Sequence, residues 1–255
     1  MMPPRPYVLA EANWKFVNDT RYEVAILPWG ATEPHNYHLP YGTDNYETGS
    51  IAERAAEIAW KQGAKVVVLP TVPFGVNTGH LDLRLALNMN PTTQLTLLSD
   101  IASAIAGQGV RKLLILNGHG GNDFRQMIRE LQPRVKLFIC TINWWTCLSG
   151  ADYFDEPGDH AGEMETSVMM SLRPDILLPL AEAGAGKEKK FRIAGLREGW
   201  AWAPRQWSKI SEDTGTGNPA RSTAEKGEKF LRAVTERIGG FLVDLAGADP
   251  DDMYS

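Results

Sequence analysis

The stretch EVAILPWGATEPHNYHLPYGTDNYE (Glu23–Glu47) decides how the chain is read. Its first six residues, EVAILP, form a short apolar run that ends at proline, which predicts a buried strand. The chemistry then changes abruptly: Glu33, His35, His38 and Asp44 follow, with Pro34 and Pro40 spaced between them. The chain has five histidines, and two of them lie in this loop. Glu33 and His35 are two positions apart, so in an extended segment both side chains point the same way and His38 points the other.

The same rhythm repeats downstream. Residues 45–62 carry apolar and small side chains at helical spacing, with Gly63 as the cap. AKVVVLP (64–70) reads as a second strand, rich in β-branched residues. Asn90 and Pro91 predict an N-cap and first helical position for a helix reaching about Gly107. KLLILN (112–117) is a third strand, 123–131 a helix, and VKLFICTI (135–142) a fourth strand. Near-continuously apolar strands alternating with helices imply an α/β fold with a mainly parallel sheet covered on both faces. From about 182 to 222 periodicity fades; this stretch, with Trp200, Trp202 and Trp207, reads as an irregular excursion over a single domain spanning 1–255. Such a segment can lid a site or build a subunit interface. An amphipathic helix over about 220–245 ends the pattern.

Composition narrows the class. Of 255 residues 43% are hydrophobic and 22% charged, and the net charge is −5. With no basic stripe, nucleic acid is not an expected partner. Cys140 and Cys147, the only cysteines, are expected to stay reduced. The opening residues lack the apolar core of a signal peptide, and no run approaches the ~18 residues of a membrane span. A soluble cytoplasmic protein is the expectation.

The topology gathers the reactive groups. Glu33 and His35 follow the first strand, His80 the second, and His119, in NGHGGN (117–122), the third. Asp159, His160, Glu163 and Glu165, in GDHAGEMETS (158–167), follow the fourth. Residues just past the carboxyl ends of parallel strands share one crevice. Imidazoles mixed with carboxylates, and no thiolate, suit Zn, Mn or Fe. Asp44 can span two cations with its two oxygens, and a pair about 3.5–4 Å apart can activate water and polarise a carbonyl together. Plainer readings stand beside these: a solvated turn for Glu33 and His35, an N-cap for Asp44, a glycine connector for NGHGGN, an exposed helical Glu165, and a structural role for His38 or His80. They would have to hold separately at every strand end.

The motifs LPWGATEPHNYHLPYGTDNYE, NGHGGN, HAGEMETS and TGTGNPARSTAEKGEK, in that order over about residues 22–235, together resemble the creatininase (creatinine amidohydrolase) family. The resemblance implies a three-layer α/β/α fold and two divalent metal ions. It implies hydrolysis of a C–N bond in a small cyclic or linear amide, and a homohexamer. Carried over by position, Glu33, His35, Asp44 and His119 correspond to metal ligands, with Asp44 bridging. Creatininase proper has a further glutamate two residues after its equivalent of His119; here that position is Gly121, so Glu165, with Glu163 behind it, is the candidate to complete the second site. The family's usual FPGT segment after His80 is also absent, replaced by DLRLALNMNPTT (82–93).

The mechanism expected on this basis is attack by a metal-bridging hydroxide. Either His160 or Glu165 passes the proton, and His80, Gly120, Gly121 and Asp159 lie on the substrate side. Two other classes compete. A sugar-phosphate-binding, non-hydrolytic enzyme would explain the glycines but leave the acidic loop idle. A catalytically silent binding protein on the same fold would be expected to lose ligands.

Overall fold

The computed structural model describes residues 5–254. β1 (Val24–Trp29), β2 (Val66–Val68), β3 (Lys112–Asn117) and β4 (Phe138–Asn143) form a parallel sheet in the order β2-β1-β3-β4. Register is continuous across its centre: Val24 stands beside Val66 and Lys112, and Trp29 beside Asn117. Successive side chains alternate between two cores. Val24, Ile26, Leu114 and Leu116 pack on α2 (Thr43–Lys61) and α8 (Ala224–Gly247), through Ile51, Ala55, Phe230, Val234 and Ile238. Ala25, Leu27, Trp29, Leu113 and Ile115 pack on α3 (Pro91–Gly107) and α4 (Arg125–Leu131), through Leu98, Ala102 and Phe124. Helices on both faces make three layers and leave the strands no wet side.

α1 (Trp14–Asp19) precedes the sheet, and α5 (Glu163–Leu172) packs beside α8. The sheet's end is tied to the chain's end: Lys112, buried at the start of β3, donates from Nζ to Ala246 O at 2.6 Å and Ala248 O at 2.8 Å. Its ammonium thus meets carbonyls at the negative end of α8.

Element boundaries depart from the sequence reading at several places: β2 keeps only Val66–Val68 of 64–70, α4 begins at Arg125 rather than 123, and α8 at Ala224 rather than about 220. α2 begins at Thr43 rather than 45, so Asp44 is in its first turn and Gly42 is the cap. β4 begins at Phe138, three residues later than the apolar run suggests. Asn90 caps α3 by position but makes no side-chain cap bond; its Oδ1 accepts from Asn88 instead. The excursion carries α6 (Ala194–Glu198), α7 (Trp207–Ile210) and β6 (Thr216–Gly217), which pairs antiparallel with β5 (Gly158–His160). Among the described residues no helix is long and apolar enough to cross a membrane.

Candidate metal centre

The loop after β1 doubles back on itself. Glu33 N donates to Tyr41 O at 3.1 Å, and His35 bridges Leu39 in antiparallel fashion. The reversal passes through Asn36, whose φ of 56° is left-handed, a conformation asparagine tolerates better than most side chains. Glu33 and His35 are thereby turned inward together. His38 lies on the other side of the loop, with Nε2 at 2.9 Å from Thr166 Oγ1. Asp44 enters from the first turn of α2, where the positive end of the helix dipole favours a carboxylate.

Three imidazoles are held from behind by main-chain carbonyls. His35 Nδ1 lies 3.0 Å from Glu33 O, His119 Nε2 3.0 Å from Val76 O, and His160 Nε2 2.9 Å from Pro34 O. A carbonyl only accepts, so each of these nitrogens carries the proton and donates it. The opposite nitrogens then present lone pairs to the centre. His35 Nε2 is 2.9 Å from Asp44 Oδ1. His119 Nδ1 is 3.0 Å from Asp44 Oδ2 and 3.1 Å from Glu33 Oε1. His160 Nδ1 stands 3.7 Å from the same Glu33 oxygen.

Lone pairs aimed at carboxylate oxygens at such distances repel unless a proton or a metal lies between them. In the metal-free protein the answer is protons. Burial opposes charging the rings, yet Asp44 lifts His35 to about 10, and Glu33 and Asp44 raise His119 well above its ordinary value. Burial would likewise raise the carboxyls, but His119 and His35 hold Glu33 and Asp44 below the usual carboxylate range. Divalent cations can replace those protons on the same donor set. Among the described residues three groupings bring ligand atoms within 4.8 Å of one another: Glu33–His35–Asp44, His35–His160–Glu165 and Glu33–His80–His160. Oxygen and imidazole donors of this kind fit zinc, manganese or iron.

The centre opens into a cavity of about 470 Å³ lined by His80, Gly120, Gly121, Asp159, His160 and Glu165, among others. His80 Nε2 is 3.3 Å from Glu33 Oε2, and burial lowers both His80 and His160 to about 4. Asp159 stands at the exposed rim, paired with Arg205 at 3.0 Å and bonded to Thr216. A Cβ at Gly121 would collide with Val76 O and come within 2.5 Å of His119 Nε2, so the loop has no room for a side chain there. Glu163 is not a ligand candidate: Oε2 accepts from Asp155 N and Glu156 N at 2.8 and 2.7 Å, and Oε1 pairs with Lys226. Glu165 is the one that faces the centre, with burial first among the causes that push its carboxyl up to about 7.

Two residues at the site escaped the sequence reading. Trp207 stacks on His80 (4.6 Å, 20°) and meets His160 edge-on (4.6 Å, 61°), so the excursion forms a wall of the cavity. Only the clustering of tryptophans hinted at it. Glu47, fully buried one turn beyond Asp44, closes the motif quoted at the outset, where nothing singled it out.

Comparison with known proteins supplies the context. The family model described as creatinine amidohydrolase matches residues 10–242. A mycofactocin precursor peptide peptidase of Mycobacterium tuberculosis (strain ATCC 25618 / H37Rv) is 26% identical over 221 residues, 83% of this chain and 81% of its own. The creatinine amidohydrolase of Pseudomonas putida is 25% identical over 60% of this chain and 66% of its own. The crystal structure of a Bacteroides fragilis NCTC 9343 protein assigned as a creatinine amidohydrolase superposes with a TM-score of 0.92 at 44% identity, covering 98% of this chain and 99% of that one.

Proposed function

Because this chain belongs to the creatininase family, we propose that it is a metal-dependent amidohydrolase that breaks the C–N bond of a small cyclic or linear amide. Two divalent cations (zinc, manganese or iron) are part of the reading, held by Glu33, His35, Asp44, His119 and Glu165. One observation carries it: the two oxygens of Asp44 face the inward nitrogens of two different imidazoles, His35 and His119, at 2.9 and 3.0 Å. A carboxylate so placed is disposed to bridge. Bound there, the cations would supply Lewis acidity toward a carbonyl and bring the pKa of water toward neutrality.

The remaining work falls to side chains. His160 spends its Nε2 proton on Pro34 O and turns Nδ1 toward the cavity, and burial keeps the ring neutral at pH 7. It is therefore free to take a proton from water and return it to the departing nitrogen. Glu165 is the second group able to carry that proton. His80, Asp159 and the backbone of Gly120 and Gly121 line the substrate side. The relatives act on a precursor peptide and on creatinine, so lactams, formamides and short peptides are the substrates to screen. The reading also takes the working unit to be a homohexamer, which light scattering decides.

Elemental analysis and a substrate screen with and without chelator test the proposal. Two metals per chain and chelator-sensitive hydrolysis are expected. Asp44→Asn should lose at least one metal, and with it several kcal/mol of transition-state stabilisation, about 10²-fold or more in rate. A full two-metal complement in that variant rejects the bridging role, and a metal-free, active wild type rejects the whole reading.

A further inference from the structure

Glu47 lies three residues after Asp44 on α2, a spacing that puts both side chains on one helix face. It is completely buried, and neither carboxyl oxygen has a hydrogen-bond partner. A buried carboxyl normally has a donor or a counter-ion, and this one has neither. The charged groups acting on it are Glu165 and Asp44, both acidic. Glu33 and Asp44 pair only with imidazoles. Glu165 accepts from Ala161 N. Among the described residues no lysine or arginine pairs with any of these four acids. Ionised together, they carry four negative charges, which two divalent cations balance.

His35 and Glu165 share one grouping of ligand atoms, and Glu165 is the charged group that acts most strongly on Glu47. Resting on the two-cation reading above, we infer that Glu47 is a further carboxylate ligand of the pair, serving the cation held by His35 and Glu165. Its two orphaned oxygens are then satisfied by the ion rather than by protein donors.

The experiment compares wild type, Glu47→Gln and Glu47→Asp. Zn²⁺ and Mn²⁺ stoichiometry and affinity are measured by chelator competition, and melting is followed with and without metal. Wild type is expected to bind two ions. In Glu47→Gln the first ion is retained and affinity for the second falls at least about tenfold. Metal-free Glu47→Gln should melt no lower than metal-free wild type, because the substitution removes an uncompensated buried acid. Its rise in Tm on loading should be smaller. Glu47→Asp, which keeps the carboxylate, should recover part of the second affinity. If Glu47→Gln does not fold, Glu47→Asp carries the test, through weakened binding of the second ion alone. Unchanged stoichiometry and affinity in the variant studied, with wild type binding two ions, overturns this inference and leaves the proposed function standing. A wild type that binds fewer than two overturns both.

Discussion

His35 and His38 are three positions apart, and what surrounds each ring sets them to opposite charge states. His35 faces Asp44 and is raised to about 10; burial first, and then the nearby His35, push His38 down to about 4. The folded-state value of His38 is below its ordinary 6.5, so between those two values the unfolded chain holds a proton that the folded chain refuses. The stability this gives is present above pH 6.5 and is lost as pH falls toward 4. Urea melts of the metal-free protein should therefore weaken over that window. His38→Gln, which can keep a hydrogen bond to Thr166, should flatten part of the slope; equal slopes would remove His38 from the account. At this scale the sequence was legible where a residue's place on the backbone decides its direction. Alternation along an extended segment turns Glu33 and His35 together and His38 away. It was illegible where direction depends on packing. Glu163 and Glu165, two positions apart on a helix, face about 200° apart. Which of them looks inward is settled by Lys226 on α8, far along the chain. Glu47 is hidden for the same reason: nothing near it in sequence says that the first turns of α2 face the site.

At the scale of elements, the helices that carry the ligands meet at glycines and alanines. α2 presents Ala52, Ala55, Ala56 and Ala59, all buried. On α8, a Cβ at Gly239 would come within 2.7 Å of the Ile58 side chain, and one at Gly227 would collide with Ser167 O on α5. The second obstacle is main chain and has little room to give. Gly227→Ala should cost about 1–3 kcal/mol, a fall in Tm of roughly 2–12 °C for a chain of this size. Because α5 also carries Glu165, the variant should bind metal more weakly as well; a lower Tm with unchanged metal affinity would show that the strain is absorbed elsewhere. Periodicity located α2, α3, α4 and α8, but not this interlock, since a glycine inside a helix reads from sequence only as a weak helix former. Strand ends were misplaced where apolar residues run on past the ladder, as Val135 and Leu137 do before β4.

Across the whole molecule, the strand order explains where the chemistry collects. The chain builds outward from β1 to β2 on one side, then returns to β3 and β4 on the other. The crevice at that switch lies between the ends of β1 and β3, and Glu33 and His119 follow those two strands. That the strand ends share one crevice followed from the alternation of strands and helices; the strand order did not. The covering of the crevice was legible only as one of two uses open to the excursion, which has no periodic pattern to read. It is strapped down by Arg205 on Asp159, Gln206 on Asp82 at 2.9 Å and Trp207 on two histidine rings. Trp207→Ala should leave metal content unchanged and lower kcat/KM by up to about tenfold, the worth of a lost aromatic contact; unaltered kinetics would reduce Trp207 to packing. The grip of Lys112 on the carbonyls of Ala246 and Ala248 has a practical corollary for handling the protein. A chain cut back through Ala248 should melt abruptly lower than one cut just after it, because a buried ammonium has lost an acceptor; a shortened clone ending before that clasp should express poorly.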